Sequence, residues 1–215
     1  MKNNENGRSM IEMLGVLAII GVLSVGGIAG YSKAMMKYRT NKTIEQISMI
    51  VTNVRTLFGS QKNYKALGAT TTGSLIAKAK LFPDELLNGS TDIIENGNPF
   101  GGAIELVAAA RASKDNALCT KCGDAKAFVV AFTNIPEEAC MDLATQDWGS
   151  ASGSGLIEAN VVNKVENTTL STFQEKIAAC SAGNGIACGG KGPMTAANAA
   201  AVCDGDENAL LLKFY

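Results

Sequence analysis

The chain has 215 residues, with 19 basic and 20 acidic side chains and a net charge of −1. This balance gives no electrostatic reason to expect a nucleic-acid partner, because proteins that bind nucleic acid carry clustered positive charge. The sequence contains no histidine, which excludes Ser-His-Asp and Cys-His catalytic arrangements and every zinc site that needs histidine. We therefore expect a protein that is not an enzyme and that has no catalytic residue, no cofactor and no bound metal.

The first strong feature is an apolar stretch near the N-terminus. No residue from position 13 to position 31 is charged. As a helix with a rise of about 1.5 Å per residue, this stretch would extend roughly 28 Å, close to the thickness of about 30 Å of a bilayer's hydrocarbon core. One carboxylate, Glu12, directly precedes it. Because an acid at the edge of a membrane span is costly unless it is paired, we expect Glu12 to have a partner.

The residues that lead into this stretch read Gly7-Arg8-Ser9-Met10-Ile11-Glu12. They resemble the processing motif of type IV prepilins, which is glycine, a variable residue, Ser or Thr, two hydrophobic residues and glutamate, followed by a long apolar helix. The resemblance implies a leader of residues 1–7 and cleavage after Gly7 by a prepilin peptidase. It also implies a mature N-terminus at Arg8. In the family, the first mature residue is usually Phe or Met, and its amine is usually N-methylated.

The same resemblance implies a role in assembly for Glu12, which would be the fifth mature residue. In the family, this carboxylate pairs with the N-terminal amine of a neighbouring subunit inside the filament, where a low dielectric strengthens the attraction. The positive end of the helix dipole also favours an acid in the first turn.

Two alternatives for the N-terminal segment are an ordinary membrane anchor and an uncleaved secretory signal. A secretory signal has a shorter apolar core and a small-residue cleavage site, so the prepilin interpretation is favoured.

The helical pattern continues beyond the apolar stretch, and no proline interrupts it before Gly59. Apolar residues recur three and four positions apart, as on the buried face of a helix. They are Ile44, Ile47, Val51, Val54 and Phe58. We predict one helix of about 50 residues, roughly 75 Å long. Residues 8–31 would form a transmembrane and polymerisation segment, residues 32–59 the amphipathic half of the helix, and residues 60–215 a globular periplasmic or extracellular head.

Short elements are predicted in the head. Residues 103–110, 127–133, 156–162 and 210–215 are rich in apolar residues, with β-branched or aromatic side chains among them, and are predicted as strands. Helices are predicted at 74–80, 83–87, 169–180 and 194–202, and another begins at Pro136 with Asn134 as a nearby cap candidate. Residues 62–73, 88–99, 148–155 and 182–192 read as turns or loops.

The middle of the chain is similar to the larger type IVb pilins, including the toxin-coregulated and conjugative-plasmid pilins. The matching pieces are residues 98–102, which read Asn-Pro-Phe-Gly-Gly, the strand that ends at residues 132–136, the helix that carries Cys140, and Cys203. The resemblance implies the α+β pilin fold, in which one long N-terminal helix packs against an antiparallel β-sheet head with disulfides. The short leader is more typical of type IVa pilins, so the subclass stays open.

Six cysteines lie in the second half of the chain, at Cys119, Cys122, Cys140, Cys180, Cys188 and Cys203. An even number beyond a membrane anchor indicates disulfides in an oxidising compartment. The pair Cys140–Cys203 is implied by the resemblance to type IVb pilins. For the other four, the pairs Cys119–Cys122 and Cys180–Cys188 are preferred, not deduced.

Two other uses of the cysteines remain open. Cys119 and Cys122 could form a redox pair, but they precede a predicted strand in loop-like sequence, whereas redox pairs begin a helix. With Cys180 and Cys188 they could bind zinc, but the second spacing is wide for zinc ligands. A structural disulfide is favoured. Residues 185–192 imitate a phosphate-binding loop, but Gly192 replaces the magnesium-binding Ser or Thr, so we reject that function.

The charged residues next to the apolar stretch and the cysteines predict opposite orientations of the chain in the membrane. Lys33, Lys37, Arg39 and Lys42 follow the stretch, whereas only Lys2 and Arg8 precede it. The positive-inside rule alone would place the head in the cytoplasm, but it is weak for long translocated domains. We give the cysteines more weight and expect a precursor in the inner membrane that later becomes part of a cell-surface pilus.

The resemblance therefore predicts a structural pilin that forms a helical polymer of itself and serves adhesion, aggregation, motility or DNA transfer. Its partners would be other copies of the chain, prepilin peptidase, the pilus assembly machinery and the inner membrane. A host-cell surface or DNA as a further partner does not follow from the residues. The alternative is a minor pilin or a pseudopilin of a type II secretion or DNA-uptake apparatus. A membrane-anchored thiol redox or binding protein is a third hypothesis.

Overall fold

The computed structural model describes residues 10–61, 63–68, 75–76, 78–86, 93–94, 97–109, 125–149, 154–163, 186–188 and 193–215. The predicted helix at 169–180 and the cysteines at 119, 122 and 180 lie outside these residues. The chain divides into two compact units, Met1–Tyr38 and Arg39–Tyr215.

The predicted long helix is confirmed as α1, Met10–Phe58, with 49 residues. Its apolar part meets the length and composition needed to cross a membrane. Large apolar side chains are exposed all along this part, including Ile11, Leu17, Val25 and Ile28. Since no proline occurs between Met10 and Phe58, every residue after the first turn can donate its backbone N–H within the helix.

The part of α1 in the second unit has a buried face, as its periodicity predicts. Ile47, Val51, Val54 and Phe58 are buried, whereas the predicted Ile44 is only half-buried. The face also contains polar residues that the apolar pattern does not reveal, namely Thr40, Thr43 and Gln46. The Thr43 hydroxyl donates to the Arg39 carbonyl at 3.0 Å. Such a bond within one helix satisfies the hydroxyl, so Thr43 can be buried without a donor or acceptor from another element.

The second unit contains a six-stranded sheet in which all neighbouring strands are antiparallel. The described strands are β1 (Ile93–Ile94), β2 (Ile104–Ala109), β3 (Ala127–Ile135), β4 (Leu156–Val162), β5 (Ile186–Cys188) and β6 (Asn208–Phe214). Their spatial order is β1-β2-β3-β6-β4-β5. The last strand of the chain therefore lies between β3 and β4, and the predicted α+β fold with an antiparallel sheet is confirmed.

Four of these strands, β2, β3, β4 and β6, correspond to the predicted ones. The prediction of turns or loops at the positions of β1 and β5 is wrong. They contain only two and three residues, which is too short to show an alternating pattern, and turn-forming residues surround them. The central strands β3 and β6 are buried on both faces. Their sequences therefore read as continuous apolar runs rather than as alternating polar and apolar residues.

Aromatic rings connect α1 to the sheet within the second unit. The ring centroids of Phe58 and Tyr64 are 5.3 Å apart, those of Tyr64 and Phe128 5.0 Å, and those of Phe128 and Phe214 5.7 Å. The Arg55 guanidinium lies 5.1 Å from the centre of the Phe214 ring, a distance suited to a cation–π contact. Burial lowers the pKa of the Arg55 side chain and raises the pKa of the Tyr64 hydroxyl. The end of α1 thus packs on β3 and β6.

Polar contacts attach the segment at 78–86 to the same helix. The amide of Asn53 donates to the carbonyls of Lys80 and Leu81, each at 3.2 Å. Lys42 forms ion pairs with Glu85 at 3.0 Å and with Glu45 at 3.5 Å. The hydrogen bond with Glu85 is the main cause that raises the pKa of the Lys42 amine. These groups are partly exposed, so the contacts orient the segment more than they stabilise the fold.

The short helical elements agree in part with prediction. Residues 75, 76 and 78 are helical, as predicted for 74–80, and a 3₁₀ turn forms at Asp84–Leu86, within 83–87. A second 3₁₀ turn, Lys65–Gly68, lies in the segment predicted as a loop. Turns this short satisfy few backbone groups and leave little periodicity in the sequence.

Two further helices, α2 (Glu137–Thr145) and α3 (Ala196–Val202), lie near the predicted positions. Asn134 does not cap α2, contrary to prediction, because it belongs to β3 and has a φ of 61°. Pro136 is the N-cap and makes no side-chain bond. At α3, the Thr195 hydroxyl accepts from the backbone N–H of Asn198 at 3.3 Å.

The disulfide Cys140–Cys203, which the resemblance implied, is present and joins α2 to the residue that follows α3. Its cysteines are 63 positions apart in the sequence and both are buried. Asn208 ties the same region to the sheet, because its amide donates to the Ile135 carbonyl at 3.0 Å. Its side-chain oxygen accepts from the backbone N–H of Asp204 at 3.2 Å. The chain segment before β6 is therefore fixed by the disulfide and by the hydrogen bonds of the Asn208 side chain.

The Asn-Pro-Phe-Gly-Gly segment forms a turn built around Asn98, which is 4% exposed. Its side-chain oxygen accepts from the backbone N–H groups of Phe100 and Gly102, at 2.9 and 3.0 Å, and its amide donates to the Thr133 carbonyl at 2.6 Å. A Cβ atom at Gly102 would collide with that same Thr133 backbone. The two residues therefore hold the start of β2 against the end of β3.

We predict that Asn98→Ala lowers the free energy of unfolding by about 2–3 kcal/mol, because each buried polar group that loses its partner costs about 1–3 kcal/mol. Urea denaturation of the full chain in detergent, followed by Trp148 fluorescence, would measure the change. Asn41→Ala is the control, since Asn41 is exposed on α1 and its replacement should change stability by less than about 0.5 kcal/mol. Equal effects of the two substitutions would contradict the buried turn.

Replacing both Cys140 and Cys203 by alanine should lower the free energy of unfolding by about 2–4 kcal/mol, because the disulfide closes a long loop in the unfolded chain. The same denaturation assay measures this loss. Wild-type protein treated with a thiol reductant should approach the double variant, whereas the double variant should change less on reduction. An unchanged denaturation midpoint in the double variant would show that the disulfide does not stabilise the head.

Candidate assembly site

Glu12 lies in the first turn of α1 and is exposed. The next ionisable group toward the C-terminus is Tyr31, and the next charged residue is Lys33. A carboxylate in a first helical turn interacts favourably with the positive end of the helix dipole. The helix therefore presents one negative group at the start of an uncharged surface that is about 30 Å long.

That surface is almost entirely apolar and exposed in the single chain. Ile11, Val22, Val25 and Ile28 each expose between 71% and 79% of their maximal area. Exposed apolar patches of this extent on a protein indicate a lipid or protein contact, because contact with water is unfavourable for them. The segment therefore needs a membrane, other protein chains, or each in turn.

Five glycines of this segment are not packed against any other part of the chain that the structure describes. A Cβ atom added at Gly15, Gly21, Gly26, Gly27 or Gly30 would meet no atom within 4 Å. Glycine in the interior of an exposed helix costs about 1 kcal/mol relative to alanine, so the chain's own fold gives no reason for them. Small residues allow two membrane helices to approach closely. The other explanation, the general composition of membrane helices, remains equally compatible with these positions.

The remaining predicted site residues are placed as follows. Gly7 and Arg8, the predicted processing residues, lie outside the described residues, as do Cys119, Cys122 and Cys180. Cys188 belongs to β5, where it is the register partner of Asn160. The preferred pairs Cys119–Cys122 and Cys180–Cys188 therefore stay predictions.

The described residues contain no group of three or more Cys, Asp or Glu side chains that could hold a metal ion. The zinc alternative depends on Cys119, Cys122, Cys180 and Cys188 and so falls largely outside that part of the chain.

The contacts of Asn98, Asn208 and Lys42 could not be predicted from the sequence, because each joins residues that are far apart in the chain.

A long N-terminal helix with an exposed apolar half and an acid in its first turn, followed by an antiparallel sheet with a disulfide before its last strand, defines a type IV pilin. The profile of the Bundlin family matches residues 33–197. The chain belongs to the Bundlin family.

Two curated relatives have the same degree of similarity. Each is a "Major structural subunit of bundle-forming pilus", one from Escherichia coli O127:H6 (strain E2348/69 / EPEC) and one from Escherichia coli O111:H-. Each is 25% identical over 156 residues, which cover 72% of this chain and 72% of the relative. The family match begins at residue 33, so Gly7, Arg8 and Glu12 are supported by their own sequence pattern.

Proposed function

We propose that this chain is the structural subunit of a type IV pilus and polymerises through α1. The observation that carries the proposal is the exposed, uncharged half of α1 with Glu12 at its start. Membership of the Bundlin family supports it, as does the description of both relatives as major structural subunits of a bundle-forming pilus. The filament would serve adhesion, aggregation, motility or DNA transfer.

The pairing of Glu12 with the amine of the neighbouring copy gives this surface its register. Apolar contact alone is not directional, so one apolar helix can slide along another with little change in free energy. A carboxylate in a medium of low dielectric costs several kcal/mol unless a cation meets it. One axial position, where an amine reaches Glu12, therefore becomes much more favourable than its neighbours.

The amine in question would be created by processing. Cleavage after Gly7 by a prepilin peptidase removes residues 1–7 and leaves a cationic amine on Arg8, four residues before Glu12. Within one helix, four residues span about 6 Å along the axis, so a copy displaced by that distance brings its amine level with the neighbour's carboxylate.

The proposed route starts in the inner membrane and ends in a cell-surface pilus. Residues 8–31 lie in the bilayer before assembly and in the filament core after it, and residues 32–59 form the amphipathic half of the helix. Residues 60–215 form the head. The disulfide Cys140–Cys203 supports an oxidising compartment for the head. The assembly machinery would move the subunit from the bilayer into the filament.

A minor pilin or pseudopilin would share the leader motif and Glu12. We favour the filament subunit because both relatives are described as major structural subunits. A membrane-anchored redox protein would instead require free thiols at Cys119 and Cys122, together with measurable disulfide reductase activity of the purified chain.

The direct test is negative-stain microscopy of material sheared from the cell surface, combined with mass spectrometry of the subunit's N-terminus. We expect filaments whose main component is this chain, beginning at Arg8 with a methylated amine. A mature chain that begins at Met1 would refute the processing step. Filaments in which the chain is only a trace component would favour the minor pilin.

Glu12→Ala should leave the subunit in the membrane and processed at Arg8 but should reduce surface filaments at least tenfold, because the buried amine loses its partner. The amount of subunit in the sheared fraction, relative to the membrane fraction, measures the effect. Glu45→Ala is the matched control, since Glu45 is an exposed acid on the same helix. Normal filaments from Glu12→Ala would refute the assembly role of this carboxylate.

A further inference from the structure

Beyond the apolar stretch, α1 carries an excess of positive charge that the assembly mechanism does not use. Lys33, Lys37, Arg39 and Lys42 follow within twelve residues of Tyr31, and no Asp or Glu occurs between Glu12 and Glu45. The disulfide assigns the following domain to an oxidising compartment, so this charge lies on the side where the positive-inside rule does not expect it.

The residues nearest to the end of the apolar stretch combine lysines with exposed tyrosines. Tyr31 and Tyr38 expose 68% and 62% of their maximal area, and Lys33 and Lys37 are exposed as well. At about 100° per residue, the two tyrosines share one side of α1, and the two lysines share another side roughly 130° away. All four side chains lie within an arc of about 160°, so they form one broad face of the helix.

We propose that Lys33 and Lys37, with Tyr31 and Tyr38, form a patch that binds the anionic phospholipid headgroups of the leaflet facing the head. Tyrosine is enriched at membrane interfaces because its ring is apolar and its hydroxyl is polar. Lysines bury their methylene chains along apolar surface while their amines reach the phosphates. The proposal rests on the proposed function only through its membrane-anchored stage.

Position along the helix favours lipid as the partner. Lys33 and Lys37 follow Tyr31 by about 3 and 9 Å along the axis, and the polar layer on each side of a bilayer is about 5–8 Å thick. Both amines therefore reach this layer when residues 13–31 fill the hydrocarbon core.

The consequence for the subunit is a defined depth in the membrane before assembly. A basic residue close to an anionic surface strengthens its association by roughly fivefold, so the two lysines together contribute roughly 25-fold. The contribution decreases with ionic strength, because salt screens charges near a membrane surface. Transfer of the subunit into a filament would have to release these headgroups.

The test measures lipid binding by the full-length chain purified in a non-ionic detergent. Phosphatidylglycerol or phosphatidylcholine with identical acyl chains is titrated in, and bound lipids are counted by native mass spectrometry. We expect phosphatidylglycerol to bind more tightly than phosphatidylcholine to the wild type, and K33Q/K37Q to lose this preference and bind both lipids alike. K33R/K37R, which keeps both charges, should bind as the wild type does.

The matched control is K65Q/K78Q, which removes two exposed lysines of the head and should leave the lipid preference unchanged. A preference for phosphatidylglycerol that survives in K33Q/K37Q would overturn the proposal. So would competition by millimolar inorganic phosphate, which would indicate a site for free anions. If K33Q/K37Q kept its lipid preference but lost cross-links between copies, the lysines would form a subunit contact instead. The titration requires no filaments, so its failure is distinct from failure of the proposed function.

Discussion

The constraint on which the molecule depends is that the first half of α1 cannot remain in water. Its apolar side chains are exposed in the single chain, and a Cβ atom at the glycines between them would meet none of the described residues. Lipid and other copies of the helix are two environments that remove the same apolar area from water, so transfer between them changes the hydrophobic free energy little. Electrostatic groups can then decide between the two: Glu12 would favour the filament, whereas the lysines after Tyr31 would favour the membrane.

The second unit has the opposite character, since most of the large apolar side chains among its described residues are buried. The central strands β3 and β6 are buried on both faces, and a series of aromatic contacts joins them to the end of α1. The disulfide Cys140–Cys203 and the bonds of Asn208 hold the segment that enters β6. Among the described residues, the apolar half of α1 is therefore the main apolar surface that remains exposed in the single chain.

Membership of the Bundlin family and the sequence pattern of the N-terminus support the pilus function in different parts of the chain. The family profile matches residues 33–197, which includes most of the head, whereas the prepilin motif occupies residues 7–12. Because the two segments do not overlap, they are independent reasons for the same conclusion. The structure connects them, since α1 begins inside the motif and continues into the matched region.

The sequence by itself determined the long helix, its apolar half, the acid at its start and four of the strands, because these features depend on composition and spacing within a few turns. It did not determine that β6 inserts between β3 and β4, that β1 and β5 extend the sheet, or that Asn98 and Asn208 build its turns. Those features depend on residues brought together from distant positions, as with Ile135 and Asn208, 73 residues apart. Such pairs become neighbours only in the folded chain. The residues next to a polar side chain in the sequence do not show which distant backbone group it will bind when it is buried.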